Sequence, residues 1–226
     1  ENDLKILRQM LQRRISGEPF QQILNKGSFY GRDFKIDKNV LIPRFETELI
    51  IERLKVWGKV NSLLDIGTGS GCISITASLE GLAENIFATD NSRFALNIAK
   101  INMRKYGVTN LQIAFHDFIR SRFKSKFDVV VSNPPYINLD KINSLHTEVY
   151  DYEPHSALTD GSDGLSFYRR FAEQFNNLLK PNGILILEIG GNRQKDAIEK
   201  IFRKTGLNAA FFKDLQRDWR VVEIRK

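Results

Sequence analysis

The chain has 226 residues, of which 42% are hydrophobic and 27% charged, a profile that fits a globular protein and excludes a disordered or fibrous one. Its single cysteine, Cys72, excludes an internal disulfide, and no paired Cys/His spacing predicts a metal site. The net charge of +7 favours an acidic partner, although the basic residues are scattered rather than gathered in a nucleic-acid-binding groove.

The first part of the chain differs in character from the rest. A helix-like segment covers residues 2–16, and two short strands are expected at 28–36 and 39–42, joined by Asp37 and Lys38. A helical repeat over residues 46–57 then leads into the main domain. No apolar run approaches the ~20 residues that cross a bilayer, and the first residues are unlike a signal peptide, so we expect no membrane contact.

From residue 60 onward, strand-like and helix-like segments alternate. Seven β-branched or apolar runs predict strands, at residues 62–66, 86–89, 111–114, 127–132, 184–189, 209–212 and 221–224. Helical spacing follows a Ser92 cap, and a stronger helical pattern begins at Asp163 and is expected to end at the Pro-Asn-Gly of 181–183. This alternation predicts an α/β fold, in which helices cover both faces of a mostly parallel sheet.

The first of these strands runs into a glycine-rich turn, Asp-Ile-Gly-Thr-Gly-Ser-Gly at 65–71. Glycines permit a tight turn and let a ligand approach the backbone closely. A dinucleotide fingerprint would require glycine in place of Cys72, and the Gly-Lys-Ser/Thr of a P-loop is absent. The residues of this turn predicted to bind a cofactor are Asp65, Gly67, Thr68, Gly69, Ser70 and Gly71.

The next two strands end in residues that suit an adenosyl ligand. Asp90 is placed to accept hydrogen bonds from both hydroxyls of a ribose, and Asn91 follows it. Asp117 is suited to accept from an adenine amino group, and Phe118 to cover the ring. A loop acid and a core aromatic are the alternative interpretations of this pair. Together, the residues favour an adenosyl ligand without a pyrophosphate.

The fourth strand ends in Ser-Asn-Pro-Pro-Tyr at 132–136, the most specific pattern in the chain. Two prolines fix the backbone and leave carbonyls, such as that of Pro134, free to accept hydrogen bonds. The Asn133 side-chain oxygen and the Pro134 carbonyl would hold the two protons of a planar NH₂ group and aim its lone pair at a methyl donor. The predicted catalytic residues are Asn133, Pro134, Pro135 and Tyr136, with the Tyr136 ring stacked on the flat group; a structural turn is the alternative.

These motifs resemble those of class I methyltransferases that act on planar nitrogens in DNA adenine, ribosomal RNA guanine or protein glutamine. Three further stretches, at 41–48, 152–165 and 214–222, resemble the peptide chain release factor glutamine N5-methyltransferases. The resemblance implies a Rossmann-like, seven-stranded class I methyltransferase sheet with a small N-terminal helical and β-hairpin appendage. It divides the chain into a remnant of a helical module (1–24), a β-hairpin linker (25–45) and an S-adenosylmethionine-dependent methyltransferase domain (46–226).

The resemblance also implies the reaction. S-adenosylmethionine would be the methyl donor, with S-adenosylhomocysteine as product and no metal, and the acceptor would be the glutamine of the Gly-Gly-Gln loop of class I release factors. Asn133 would contact the cofactor as well as the glutamine, and Arg44 would lie beside the substrate. We expect a monomer in the cytosol or an organelle matrix that needs neither nucleic acid nor membrane.

Two other functions remain open at this level. A nucleic-acid amino-methyltransferase, acting on adenine N6 or guanine N2, would use the same loop chemistry and is favoured by the charge of +7. A non-enzymatic adaptor would keep the fold alone, but the intact glycine turn, Asp90 and Asn133 argue against it.

Overall fold

The computed structural model describes residues 2–226; Glu1, part of the segment predicted at 1–24, lies outside the described residues. The strands are β1 (Lys26–Phe29), β2 (Arg32–Lys35), β3 (Val60–Ile66), β4 (Ala83–Asp90), β5 (Leu111–Phe115), β6 (Phe127–Ser132), β7 (Leu179–Glu188), β8 (Asn208–Lys213) and β9 (Trp219–Arg225). The α-helices are α1 (Asn2–Ile15), α2 (Phe20–Ile23), α3 (Glu48–Trp57), α4 (Cys72–Leu79), α5 (Arg93–Lys105), α6 (Thr147–Tyr152), α7 (His155–Leu158), α8 (Ser166–Leu178) and α9 (Asn192–Arg203). Short 3₁₀ turns cover Phe45–Thr47 and Leu139–Ser144.

Seven strands form one sheet in the order β5-β4-β3-β6-β7-β9-β8, which confirms the predicted seven-stranded α/β fold. All neighbours are parallel except β9, which runs antiparallel to β7 and to β8. β3 and β6 lie side by side, and the chain leaves them in opposite directions across the sheet. Such a switch point opens a crevice at the carboxyl ends of the two strands, where α/β proteins bind ligands.

The two central strands are buried on both faces. Leu63, Val129 and Val131 face the core that includes α3 and α4. Leu64 and Val130 face the core built from α8 and α9. Successive side chains of a strand point to opposite faces, so a strand covered on both sides needs apolar residues at nearly every position. This requirement explains the consecutive apolar residues at 63–64 in β3 and at 129–131 in β6.

The N-terminal hairpin differs from its prediction. It consists of β1 and β2, with Tyr30 and Gly31 at the turn, so the strands predicted at 28–36 and 39–42 around Asp37 and Lys38 are wrong. Both turn residues have positive φ, +51° and +71°, as a tight turn between twisted strands requires. Residues 39–42 form no strand, and their apolar side chains instead pack against α5.

The strongest predicted helix is present as α8, but it ends before the Pro-Asn-Gly at 181–183 that was expected to end it. The helix ends at Leu178, and the backbone is already extended at Leu179. The Pro-Asn-Gly at 181–183 falls inside β7, where Asn182 adopts φ +63° and the pairing with β6 shifts register. These residues therefore shape the entry to a strand rather than end the helix.

The side chain of Asn102 links the N-terminal hairpin to the glycine turn. The Asn102 side chain, fully buried on α5, bonds the backbone of Lys35 through both its oxygen and its nitrogen and also donates to the Ser70 carbonyl. The hairpin is thus tied to the glycine turn by one side chain.

Within residues 2–226, no helix combines the length and the apolar character needed to cross a bilayer.

Candidate functional site

The glycine turn after β3 opens onto a cavity at the switch point. Gly67 and Gly69 line it with φ of +75° and +56°, values that residues with a Cβ rarely adopt. A Cβ at either position would meet nothing within 4 Å, so the space in front of them is open. Gly71 has another role, because a Cβ there would lie 2.9 Å from the Ile75 side chain; it does not line the cavity.

Asp90 ends β4 at the rim of the same cavity. Its Oδ2 accepts from the backbone N–H of Gly69 at 3.0 Å, and its Oδ1 accepts from that of Ser92 at 2.9 Å. Burial raises the pKa of the carboxyl group, and the backbone donors oppose that shift. Each oxygen keeps acceptor capacity for a ligand. The carboxylate is thus held in position to receive two hydroxyl groups.

Asp65 lies beneath the turn rather than in the cavity. Its Oδ2 accepts from the Thr68 hydroxyl at 2.6 Å, and that hydroxyl lies 3.0 Å from the hydroxyl of Ser74. Within residues 2–226, its buried Oδ1 finds no hydrogen-bond partner, and burial raises the carboxyl pKa to about 6. The buried carboxyl group lies behind the open cradle of Gly67 and Gly69, and this arrangement fits a ligand that brings positive charge to the cradle, such as the ammonium and sulfonium of an adenosyl amino acid.

The predicted adenine-binding pair lines the far side of the cavity. Asp117 Oδ1 accepts from the backbone N–H groups of Ile119 and Arg120, both at 3.1 Å, so the side chain also shapes its loop. Phe118 is buried and packs against Phe171 with ring centroids 4.5 Å apart. Asp117 therefore stabilises its loop and Phe118 packs in the core, and both also line the cavity.

The Asn-Pro-Pro-Tyr loop faces the glycine turn across the cavity. The Ser132 hydroxyl donates to the Ile66 carbonyl at 2.6 Å and pins the ends of β6 and β3 together. Asn133, Pro134 and Pro135 line the cavity. The Asn133 Nδ2 donates to the Thr47 hydroxyl at 3.2 Å, and no donor within residues 2–226 reaches Asn133 Oδ1 or the Pro134 carbonyl. Two acceptors are thus available beside the cofactor turn.

Tyr136 lies behind this loop rather than on the cavity wall. Its hydroxyl donates to Glu188 Oε1 at 3.1 Å, and its carbonyl accepts from Gln194 Nε2 at 2.7 Å. Burial, followed by the neighbouring Glu188 charge, raises the pKa of the phenol, so the proton stays on Tyr136. The ring is partly buried and packs against the core cluster that includes α8 and α9, and stacking on a substrate amide remains a prediction.

Gly164 offers a test of how tightly this loop is held. Its backbone has φ +78°, and an added Cβ would lie 2.2 Å from the Tyr136 carbonyl oxygen. We expect Gly164→Ala to lower the free energy of unfolding by roughly 3 kcal/mol and to displace the loop, which chemical denaturation and a methyl-transfer assay would measure.

Gly161 provides the matched control. It has nearly the same φ, +75°, but nothing lies within 4 Å of its Cβ position. Gly161→Ala should cost about 1 kcal/mol of backbone strain and leave activity close to wild type. Equal losses of stability in the two variants would contradict the close contact at Tyr136.

Thr47 and Glu188 are two site residues that the sequence did not assign. Glu188 ends β7 with 1% exposure, and Thr47 ends the 3₁₀ turn before α3 with 2% exposure. The Thr47 hydroxyl donates to Glu188 Oε2 at 2.6 Å. An acid directly after the apolar run of a strand beside β6 is a signal that could have identified Glu188, because ligand-binding groups gather at the carboxyl ends of such strands.

Burial raises the pKa of Glu188 to about 7, above its usual 4.5, although Thr47, Arg220 and Tyr136 oppose the shift. Below about pH 4.5 both the folded and the unfolded chain keep this proton, so Glu188 contributes no pH dependence there. As the pH rises to about 7, the unfolded chain releases the proton first, and the folded state loses stability.

We therefore expect wild type to lose roughly 2 to 3 kcal/mol of stability relative to Glu188→Gln between pH 4.5 and pH 7, with no further change above that range. Urea unfolding of both proteins across pH 4.5 to 8 would measure the difference. A difference that stays constant, or that grows in favour of wild type, would refute the raised pKa.

Arg44 stands at the mouth of the cavity. Its Nη2 lies 2.5 Å from Glu153 Oε1, and the other oxygen of that buried carboxylate accepts from the backbone N–H of Ile42 at 3.2 Å. Glu153 therefore orients the predicted substrate-binding arginine and anchors the segment before α3. Its location opposite Arg44 could not be read from the sequence, because 109 positions separate the two residues.

The described residues, 2–226, hold no group of three or more His, Cys, Asp or Glu side chains arranged for a metal ion. Cys72 does line the cavity, but burial raises the pKa of its thiol to about 12. A neutral thiol is a weak nucleophile, so the geometry favours a role in packing for this residue.

Comparison with known proteins identifies the family. Residues 44–150 match the model of the methyltransferase small domain. A Bacillus subtilis protein described as a release factor glutamine methyltransferase is 36% identical over 234 residues, which cover 98% of this chain and 80% of the relative. The chain belongs to the release factor glutamine methyltransferase family. The resemblance noted from the three additional sequence stretches is thereby confirmed.

Other similar proteins match the chain over most of its length. A Rickettsia prowazekii protein described as a bifunctional methyltransferase is 38% identical over 247 residues, which cover 99% of this chain and 48% of the relative. The chain thus spans about half the length of that relative. A Pyrococcus furiosus methyltransferase structure superposes with a TM-score of 0.63 at 20% identity, covering 94% of this chain and 95% of the other, and it shares the fold.

Proposed function

We propose that the chain transfers a methyl group from S-adenosylmethionine to the side-chain amide nitrogen (N5) of the glutamine in the Gly-Gly-Gln loop of class I peptide chain release factors. Membership of the release factor glutamine methyltransferase family supports the substrate. The observation that carries the chemistry is the Asn133 side chain, whose NH₂ group is bound by Thr47 while its oxygen remains available beside the cofactor turn.

The cavity supplies the contacts that an adenosyl sulfonium ligand requires. We assign the ribose hydroxyls to Asp90, the adenine to Asp117 and Phe118, and the amino-acid part to the glycine turn. Gly67, Thr68, Gly69, Ser70, Asn91 and Asn133 complete the lining, while Asp65 and Gly71 support the turn from behind. When bound, S-adenosylmethionine supplies an electrophilic methyl group.

The loop at 133–136 is suited to the substrate amide nitrogen, which is a weak nucleophile. The lone pair of an amide nitrogen is delocalised. Its attack on the methyl group would break the methyl–sulfur bond, leave S-adenosylhomocysteine, and place positive charge on the nitrogen until one amide proton passes to solvent. Asn133 Oδ1 and the Pro134 carbonyl would accept the two amide hydrogens, and such acceptors bind more strongly as that charge develops. Pro135 has no N–H that could compete with the substrate, and Arg44 would orient the release factor at the cavity mouth.

The wider setting is part of the same proposal. A release factor substrate places the protein with the translation machinery, in the cytosol or an organelle matrix. We propose that it acts as a monomer and needs no nucleic acid for the reaction, because one chain supplies both the cofactor cavity and the acceptor loop.

The test is transfer of a labelled methyl group from S-adenosylmethionine to a purified class I release factor. A release factor with Gln→Ala in the Gly-Gly-Gln loop serves as the matched control, and total RNA and DNA are added as competing acceptors. Label that appears on the release factor and disappears with the Gln→Ala substitution supports the proposal. Label on RNA or DNA would replace it with the nucleic-acid amino-methyltransferase that the charge of +7 favours.

A further inference from the structure

We infer that Thr47 and Glu188 are positioning residues that set the orientation of the Asn133 side-chain amide, so that its oxygen rather than its NH₂ group faces the substrate. The inference rests on the proposed function, because it explains how the site selects an NH₂ group. The two residues share one role, because Thr47 bonds the Asn133 amide directly and Glu188 reaches it through Thr47.

The three side chains form one hydrogen-bonded line. Asn133 Nδ2 donates to Thr47 Oγ1 at 3.2 Å, and Thr47 Oγ1 donates to Glu188 Oε2 at 2.6 Å. The second oxygen, Glu188 Oε1, accepts from the Tyr136 hydroxyl at 3.1 Å. Thr47 and Glu188 are almost wholly buried, so water does not compete freely for these bonds.

The number of protons fixes the direction of this line. Above about pH 7, the pKa of Glu188, the carboxylate form predominates and has no proton to donate, so the single hydroxyl proton of Thr47 must point towards it. Thr47 Oγ1 then has only lone pairs to offer Asn133, and the side chain of Asn133 must turn its NH₂ group towards Thr47. The Asn133 oxygen then points away from Thr47 and has no donor within residues 2–226, and Asn133 itself lines the cavity.

The orientation matters because both ends of an asparagine side chain have nearly the same shape. A flipped Asn133 would present two N–H donors to a substrate NH₂ group, which offers only donors itself. The hydrogen bond would be lost, and two groups carrying positive hydrogens would face each other. A site that must bind an NH₂ group therefore needs a device that excludes the flipped form.

The line is anchored in three separate parts of the fold. Thr47 lies in the 3₁₀ turn before α3, Glu188 ends β7, and Asn133 follows β6. Arg220 on β9 offsets part of the Glu188 charge and is itself held by Asp214, with Nε 3.0 Å from Oδ2. Because rigid elements hold each member, the side chains have little freedom to exchange partners.

Thr47→Val tests the line by removing the hydroxyl at nearly constant volume. We expect kcat for methylation of the release factor to fall about 10- to 100-fold, with KM and the dissociation constant of S-adenosylmethionine within about threefold of wild type. Thr47→Ser, which restores a hydroxyl, should recover activity to within about threefold of wild type. Thr76→Val is the matched control, because Thr76 is fully buried and, within residues 2–226, its hydroxyl has no partner.

A double-mutant cycle tests whether Glu188 acts through Thr47. Glu188→Gln alone should lower kcat about three- to tenfold, since a glutamine can direct either an acceptor or a donor at Thr47. In the Thr47→Val background the same substitution should change kcat by less than about twofold. Independent, multiplicative losses in the double variant would overturn the inference.

Nuclear magnetic resonance of the ¹⁵N-labelled protein tests the orientation without relying on activity. The Asn133 side-chain amide is assigned by its disappearance in Asn133→Asp, and one of its protons should be shifted and protected from exchange by the bond to Thr47. The shift and protection should be lost in Thr47→Val and kept in Thr47→Ser and Thr76→Val. An Asn133 signal that is identical in wild type and Thr47→Val would refute the inference. Failure of the wild type to label a release factor would refute the proposed function only, because the amide signal still decides the orientation.

Discussion

Asn133→Ala is expected to lower the rate of methyl transfer to a release factor by about 10²- to 10³-fold, the size of effect seen when one preorganised transition-state contact is removed. The variant deletes the acceptor that would hold one hydrogen of the substrate amide, and it also deletes the donor to Thr47. Because the interaction strengthens as charge develops on the nitrogen, most of the loss should appear in kcat. Single-turnover transfer of a labelled methyl group at saturating S-adenosylmethionine measures it directly.

A remote asparagine provides the control for this substitution. Asn85 is exposed on β4, and within residues 2–226 its side chain bonds only the Asn61 carbonyl. Asn85→Ala should transfer methyl groups at the wild-type rate. The affinity of Asn133→Ala for S-adenosylmethionine should weaken at most about tenfold, since the residue forms one edge of the cofactor cavity. Transfer by Asn133→Ala within about threefold of wild type would remove Asn133 from the catalytic residues.

The second large effect is expected at Asp90, where Asp90→Ala should weaken S-adenosylmethionine binding by about 10²- to 10⁴-fold. Two hydrogen bonds from ribose hydroxyls to a carboxylate, each contributing about 1.5 to 3 kcal/mol, give a loss of this size. The substitution also leaves the Gly69 N–H without its acceptor, which loosens the glycine turn. Isothermal titration calorimetry of wild type and variant measures the change in affinity.

Two further variants test whether the loss of affinity is specific to the charge and the position of the Asp90 carboxylate. Asp90→Asn keeps one side-chain acceptor but removes the charge, so its affinity should fall between those of wild type and Asp90→Ala. Asp196→Ala removes a carboxylate that is almost fully exposed on α9 and should bind S-adenosylmethionine as wild type does. If Asp90→Ala retained affinity within about fivefold of wild type, the ribose would have to be bound elsewhere.

Much of the fold could be predicted because its signals are local. β3 and β6 lie at the centre of the sheet, so each contains consecutive apolar residues, 63–64 in β3 and 129–131 in β6, and this is visible without knowing what they pack against. The prediction of the N-terminal hairpin was wrong because the apolar residues there reflect contacts with a distant helix rather than a local strand. Val40 and Ile42 are apolar because they pack against α5, and tertiary packing of a loop can imitate the alternation of a strand.

By itself, the sequence determined the seven-stranded α/β sheet, the glycine turn with Asp90, and the candidate acceptor loop around Asn133, because these depend on short runs of residues with unusual backbone or side-chain chemistry. Only the tertiary structure brought Thr47 and Glu188, 141 positions apart, into one hydrogen-bonded line with Asn133. The orientation of a side-chain amide is decided by donors and acceptors that arrive from distant segments, and no local pattern encodes it.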